Sequence, residues 1–152
     1  MIEDLEDSAR EELKRADHLL YVTLKYTRTA DVIKNTIKRL ISALDFSVQE
    51  ALEILKNKKK LKEVPKTALL RAELLDAKRK EFRDAMDFYF LLRKIDAADY
   101  KGKEEFRKGV AMISQVSPKE KIIVDIATLK HYFEKTIQIV QQIEEVIHDK
   151  KK

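Results

Sequence analysis

Helix breakers are nearly absent from this chain. Its 152 residues hold two glycines (Gly102, Gly109) and two prolines (Pro65, Pro118), so neither helix breaker occurs before Pro65. Glycine and proline cost about 1 and 3 kcal/mol in a helix interior, and their scarcity leaves long segments free to coil. The same scarcity removes the Gly-rich turns that cradle phosphates in P-loop and dinucleotide-binding folds.

Apolar residues fill the uninterrupted segments at helical spacing. Leu5, Ala9, Leu13, Ala16, Leu20 and Leu24 step by three or four, one face of a first helix. Thr29 reads as the N-cap of a second, with Asp31 in its first turn and a stripe of Ile33, Ile37, Leu40, Leu44, Val48, Ala51 and Leu55. Ser47-Val48-Gln49-Glu50 has the form of a capping box, but the stripe crosses it in phase, which predicts one helix. Residues 56–66 carry six lysines and Pro65, and read as an exposed loop. A third helix follows with Leu70, Leu74, Ala77, Ala85, Phe88, Leu92 and Ile95. A second stripe of Leu75, Phe82, Met86 and Tyr89 makes its later half apolar on nearly all sides and predicts a central position.

Residues 96–103 read as a loop and 104–113 as a short helix weakened by Gly109. Ser117-Pro118-Lys119-Glu120 has the cap, proline and glutamate of a helix start, yet Ile122-Ile123-Val124 is β-branched and Asp125 is itself a good cap. The last helix is therefore drawn from Ile126 through Leu129, Phe133, Ile137, Val140 and Ile147. The expected fold class is all-α, one domain over residues 1–152: an antiparallel bundle of four long helices plus one short helix. In an up-down-up-down bundle the lysine loop, the Lys150–Lys152 tail and the acidic first turn (Glu3, Asp4, Glu6, Asp7) meet at one pole.

Chemistry is bounded mainly by what is missing. Cysteine is absent, which excludes disulfides, thiolate metal sites and thiol nucleophiles. The acidic start has no signal-peptide run, and no stretch approaches the roughly 20 apolar residues of a membrane span, so a cytoplasmic protein without membrane association is expected. Bundle di-iron centres take two Glu-x-x-His motifs. Here Glu145-Val146-Ile147-His148 stands alone at a terminus and reads as a solvated helix end. His18 and His131 fall opposite their helices' apolar stripes and read as surface histidines. Glu81, near the middle of the third helix's main stripe, needs a cation such as Arg39, Arg71 or Lys78 if it is buried. No catalytic residue, metal ligand or cofactor is assigned, and the balance leans away from an enzyme.

Interaction residues can be assigned. His18, Tyr21 and Lys25 share the outward face of the first helix, with Tyr26 and Arg28 at the turn beyond. Such a group of aromatic and cationic side chains suits stacking on bases or a protein partner. Lys58, Lys59 and Lys60 form a basic loop within a net charge of +5. In the last helix Tyr132, Ile139, Ile143 and Val146 widen the apolar arc to roughly 180° by the 3.6-residue period, and Ile139 and Val146 point farthest from the expected core. That width predicts a homodimer.

The stretch ADHLLYVTLKYTRTADVIKNTIKRLISALDF, Ala16 to Phe46, resembles a group of uncharacterised archaeal helical proteins, and the two long helices at the start are similar to HEPN-type bundles. Catalytic HEPN RNases carry Arg, four to six residues, then His. None of the three histidines here follows an arginine at that distance, so the resemblance implies a non-catalytic member. The expected function is self-association or macromolecular interaction by a non-enzymatic bundle. An RNA-binding or HEPN-like protein acting on RNA is the alternative, and nucleic acid is not the favoured partner.

Overall fold

A single helix organises the chain. The computed structural model describes residues 2–148, and its elements run α1 (Ile2–His18), a π-helical turn (Leu19–Thr23) closed by one α turn (Leu24–Tyr26), α2 (Ala30–Asn57), α3 (Ala68–Lys78), a 3-10 turn (Lys80–Phe82) and α4 (Arg83–Ala97). The strands β1 (Asp99–Lys103), β2 (Ala111–Ser117) and β3 (Glu120–Asp125) then lead into α5 (Ile126–His148). The other four helices and the sheet pack on α2. Its Ile33, Ile37, Leu40, Leu44, Ala51 and Leu52 are fully buried, each large aliphatic among them contributing about 1.5–3 kcal/mol. The central helix is thus the second, not the third as the sequence predicts.

Helix starts follow local chemistry. Thr29 Oγ1 accepts from Val32 N at 3.3 Å, Thr67 Oγ1 from Leu70 N at 3.3 Å and Asp125 Oδ1 from Thr128 N at 2.8 Å, each satisfying an amide that the first turn leaves without a partner. The second helix runs unbroken through Ser47, as expected. The first carries an extra residue at Leu19–Thr23, where Leu24 N reaches back to Leu19 O.

Two expectations are corrected. The molecule is mostly helical but not all-α, because residues 99–125 form a three-stranded antiparallel meander, β1-β2-β3. The short helix expected over 104–113 is a loop followed by β2. Opposite it, the β-branched Ile122–Val124 run is strand β3, with Met112 paired to Val124 and Ser114 to Ile122. Ser117-Pro118-Lys119-Glu120 is the hairpin turn instead of a helix start, held by Gln115 Nε2 donating to Ser117 O at 2.7 Å and to Glu120 O. Ser114 Oγ donates to Ile95 O at 2.9 Å, fastening the sheet to α4.

The third long helix is also two. Between Ala77 and Phe82 the chain has four consecutive charged residues and nothing apolar to bury. It becomes extended at Arg79 and resumes on the buried Phe82. Both stripes read from the sequence therefore run across the break, each contributing residues to α3 and to α4. Glu81 consequently lies in the 3-10 turn, not on a buried stripe. Arg79 donates to it from Nη2 at 2.6 Å and from Nε at 3.1 Å, and these hydrogen bonds hold its carboxyl below the usual range.

Candidate functional site

The segment joining α1 to α2 meets the loop joining β1 to β2. Phe106 N donates to Arg28 O at 2.6 Å, and Glu105 Oε2 accepts from Ala30 N at 2.8 Å, a second cap on α2. Both glycines of the chain serve this loop. A Cβ on Gly102 would collide with the Glu105 carboxyl, and one on Gly109 would lie 3.0 Å from Glu104 Oε1. Glu104 and Phe106 adopt left-handed backbone, φ 52° and 66°, where bulky side chains are rarely found. Tyr100 OH donates to Asp31 Oδ1 at 2.5 Å, and Lys34 Nζ sits 4.7 Å from the Tyr100 ring centre, tying β1 to the first turn of α2.

The consequence is a displayed surface at this pole. Tyr26 is 82% and Phe106 72% exposed, the two most exposed large hydrophobic side chains among the described residues. Lys25, Lys103, Arg107 and Lys108 are exposed beside them and Arg28 is half-buried. Of the nearby acids, Glu105 is engaged with the α2 amide and Asp31 with the Tyr100 hydroxyl, while Glu104 is exposed. A strained, solvent-facing aromatic contributes little to folding, and such residues gather where chains bind something.

The interaction residues taken from the sequence divide. His18, Tyr21, Lys25 and Tyr26 are exposed. Tyr21 also rests edge-on against Phe133 of α5, with Lys130 Nζ 5.5 Å from its ring centre, so part of its surface belongs to the fold. Ile139 is corrected outright: it is 5% exposed and in the core, and Val146 packs against that core. Helix α5 is wedged between α1 and α2 and meets α4 through Tyr132 on Phe88, so the wide apolar arc is covered within one chain. Lys58, Lys59 and Lys60 are exposed. Lys59 and Lys60 line a shallow concavity of ≈ 550 Å³ with Lys62, Lys78, Leu61, Leu74 and Glu63.

The opposite pole holds a polar group the sequence did not reveal. His148 is half-buried, not a solvated helix end. Its Nε2 lies 2.5 Å from Glu6 Oε2 and 2.8 Å from Glu50 Oε2. Glu145, the other half of the Glu-x-x-His match, is exposed. Burial, reinforced by the hydrogen bond and negative charge of Glu6, pushes the Glu50 carboxyl up to about 9. The hydrogen bond from Glu50, with the nearby His148 and Arg10, holds Glu6 below the ordinary value. Lys58 Nζ reaches Ile147 O at 3.5 Å, so the lysine loop, the start of α1 and the end of α5 do meet. Lys150–Lys152 lie outside the described residues.

Comparison with known proteins gives no relative: no family model, no curated protein and no solved structure matches the chain.

Proposed function

We propose that this protein is a non-enzymatic binding bundle whose recognition surface is the Tyr26–Phe106 pole, and that its partner is a single-stranded nucleic acid. The observation that carries the reading is Phe106, in left-handed backbone and bonded to Arg28 O yet turned into solvent, on a loop that meets the segment carrying the exposed Tyr26. Two displayed rings offer stacking platforms to unpaired bases, which are sequence-tolerant because every base has a π-face. Lys25, Arg28, Lys103, Arg107 and Lys108 supply charge for the intervening phosphates. The net charge of +5 favours the same encounter. An acidic protein segment is the competing partner, and it lacks the stacked rings this surface fits.

Anisotropy of a labelled 12-nucleotide RNA tests this. We expect measurable binding at 50 mM salt. Five engaged cations give a slope of log affinity on log salt of about −3.5. With each stacked base worth about 1–3 kcal/mol, Tyr26→Ala with Phe106→Ala should weaken binding by at least about 30-fold. No binding at low salt, or a double variant that binds as tightly as the parent, overturns the proposal. Full competition by poly-glutamate with an unchanged aromatic contribution would redirect it to an acidic protein partner.

A further inference from the structure

We propose that Glu6, Glu50 and His148 form a binding site for a divalent first-row transition ion at the pole opposite the recognition surface. Each ligand comes from a different helix: Glu6 from α1, Glu50 from α2 and His148 from α5. Their ligand atoms all lie within 4.8 Å of one another, the one such group among the described residues. Two of the separations, 2.5 and 2.8 Å, are close to those a metal imposes. Three ligands on one face of an octahedron, with metal–ligand bonds near 2.1 Å, stand about 3 Å apart. An ion between the three would hold their ligand atoms at about that spacing.

A second observation points the same way. The Glu50 side chain is 1% exposed, and its remaining oxygen, Oε1, is buried without a hydrogen-bond partner. A buried acceptor left unpaired costs about 1–3 kcal/mol. A carboxylate binding the ion through both oxygens would engage it. Ser47, one helical turn earlier on α2, also keeps a buried hydroxyl without a partner.

The donor set selects the ion by type. One imidazole with two carboxylates and no thiol suits manganese, iron, cobalt or zinc over copper(I), and the imidazole disfavours magnesium and calcium. Two ionised carboxylates would neutralise a dication. Glu6 and His148 are 17% and 26% exposed while Glu50 is closed off, so an ion can enter from solvent and keep water in its outer positions. Beside the triad, Arg10 Nη2 donates to Glu144 Oε1 at 3.1 Å.

Isothermal titration of tag-free, chelator-treated protein with CoCl2 and with MnCl2 tests the site. The expected result is one equivalent bound at micromolar affinity or tighter, weakened at least 10-fold in both Glu50→Gln and His148→Gln, each checked for folding by circular dichroism. A second readout needs no variant. Mn2+ should broaden the His148 imidazole resonances selectively in the parent protein. Absence of stoichiometric binding, binding in either variant as tight as in the parent, or broadening centred elsewhere overturns the proposal and leaves the triad as a hydrogen-bonded helix contact.

Discussion

Replacing Tyr89 by Phe removes one oxygen from the interface of α2 and α4, and the structure says what that oxygen does. Tyr89 is fully buried, its hydroxyl donates to Asp45 Oδ1 at 2.5 Å, and Arg93 Nη1 donates to the same hydroxyl at 3.1 Å. Burial raises the Asp45 carboxyl above its usual value, while the Tyr89 hydrogen bond and the charge of Arg93 partly offset the rise. A folded-state pKa above the unfolded one means that the native chain binds more protons in the interval between them. Stability at Asp45 is therefore greatest below the ordinary aspartate value, about 4, and falls as pH rises through the raised one. In Tyr89→Phe the offset is lost, so the fall is deeper and extends to higher pH. A hydrogen bond to a charged group is worth about 1.5–3 kcal/mol. We expect a loss of about 2 kcal/mol at pH 7, or a drop in Tm of about 4–8 °C at this chain length. Toward pH 4, where the raised Asp45 carboxyl is increasingly protonated, the loss should shrink to about 1 kcal/mol. Urea denaturation of parent and variant at pH 4, 5.5 and 7 measures both. A loss below about 0.5 kcal/mol at pH 7, or an equal loss at every pH, would refute the reasoning.

Other outcomes follow from burial. Ile139→Glu places a carboxylate in the core and should destabilise by more than about 3 kcal/mol, whereas the partly buried Val146→Glu should cost about 1 kcal/mol. Equal, small effects in denaturation, accompanied by dissociation of a dimer in sedimentation, would restore α5 as an interface between copies. Phe106→Asn keeps a residue that tolerates left-handed backbone and removes little buried surface. We expect its denaturation midpoint to shift by less than about 1 kcal/mol while RNA affinity falls. A loss of 3 kcal/mol or more, typical of a core Phe, would show that the ring is structural.

The helices were legible where burial is one-sided and long. The stripe of α2 set its extent, Thr29 marked its start, and Asp125 marked the start of α5 correctly because a single side chain reaches a single amide. The sheet was not legible. β1 reads Asp-Tyr-Lys-Gly-Lys and is exposed throughout, so it has no apolar alternation to detect, and only the β-branched run of β3 hinted at strand. The break at Arg79 lacked glycine and proline; its signal was a run of four charges with no apolar residue to continue the stripe. The rotation of α5 that buries Ile139 depends on α1 and α2 both lying against it, a tertiary fact.

Half of the proposed recognition surface was visible in the sequence. Tyr26, Lys25 and Arg28 stood out beside one another, but Phe106 joins them only through the fold, and its segment was expected to be helical. Glu6, Glu50 and His148 are separated by 44 and 98 positions, so no local spacing relates them. One clue was available: by the 3.6-residue period Glu50 falls on the same side of α2 as Val32, Ala43 and Ile54, so a carboxylate there had to find partners inside the bundle.

The most direct test of the recognition surface is a 15N–1H correlation titration of the protein with a 12-nucleotide single-stranded RNA. The account predicts shift changes concentrated in residues 24–30 and 103–109, saturating together. Changes centred on Lys58–Lys62, or none at RNA concentrations that saturate anisotropy, would contradict it.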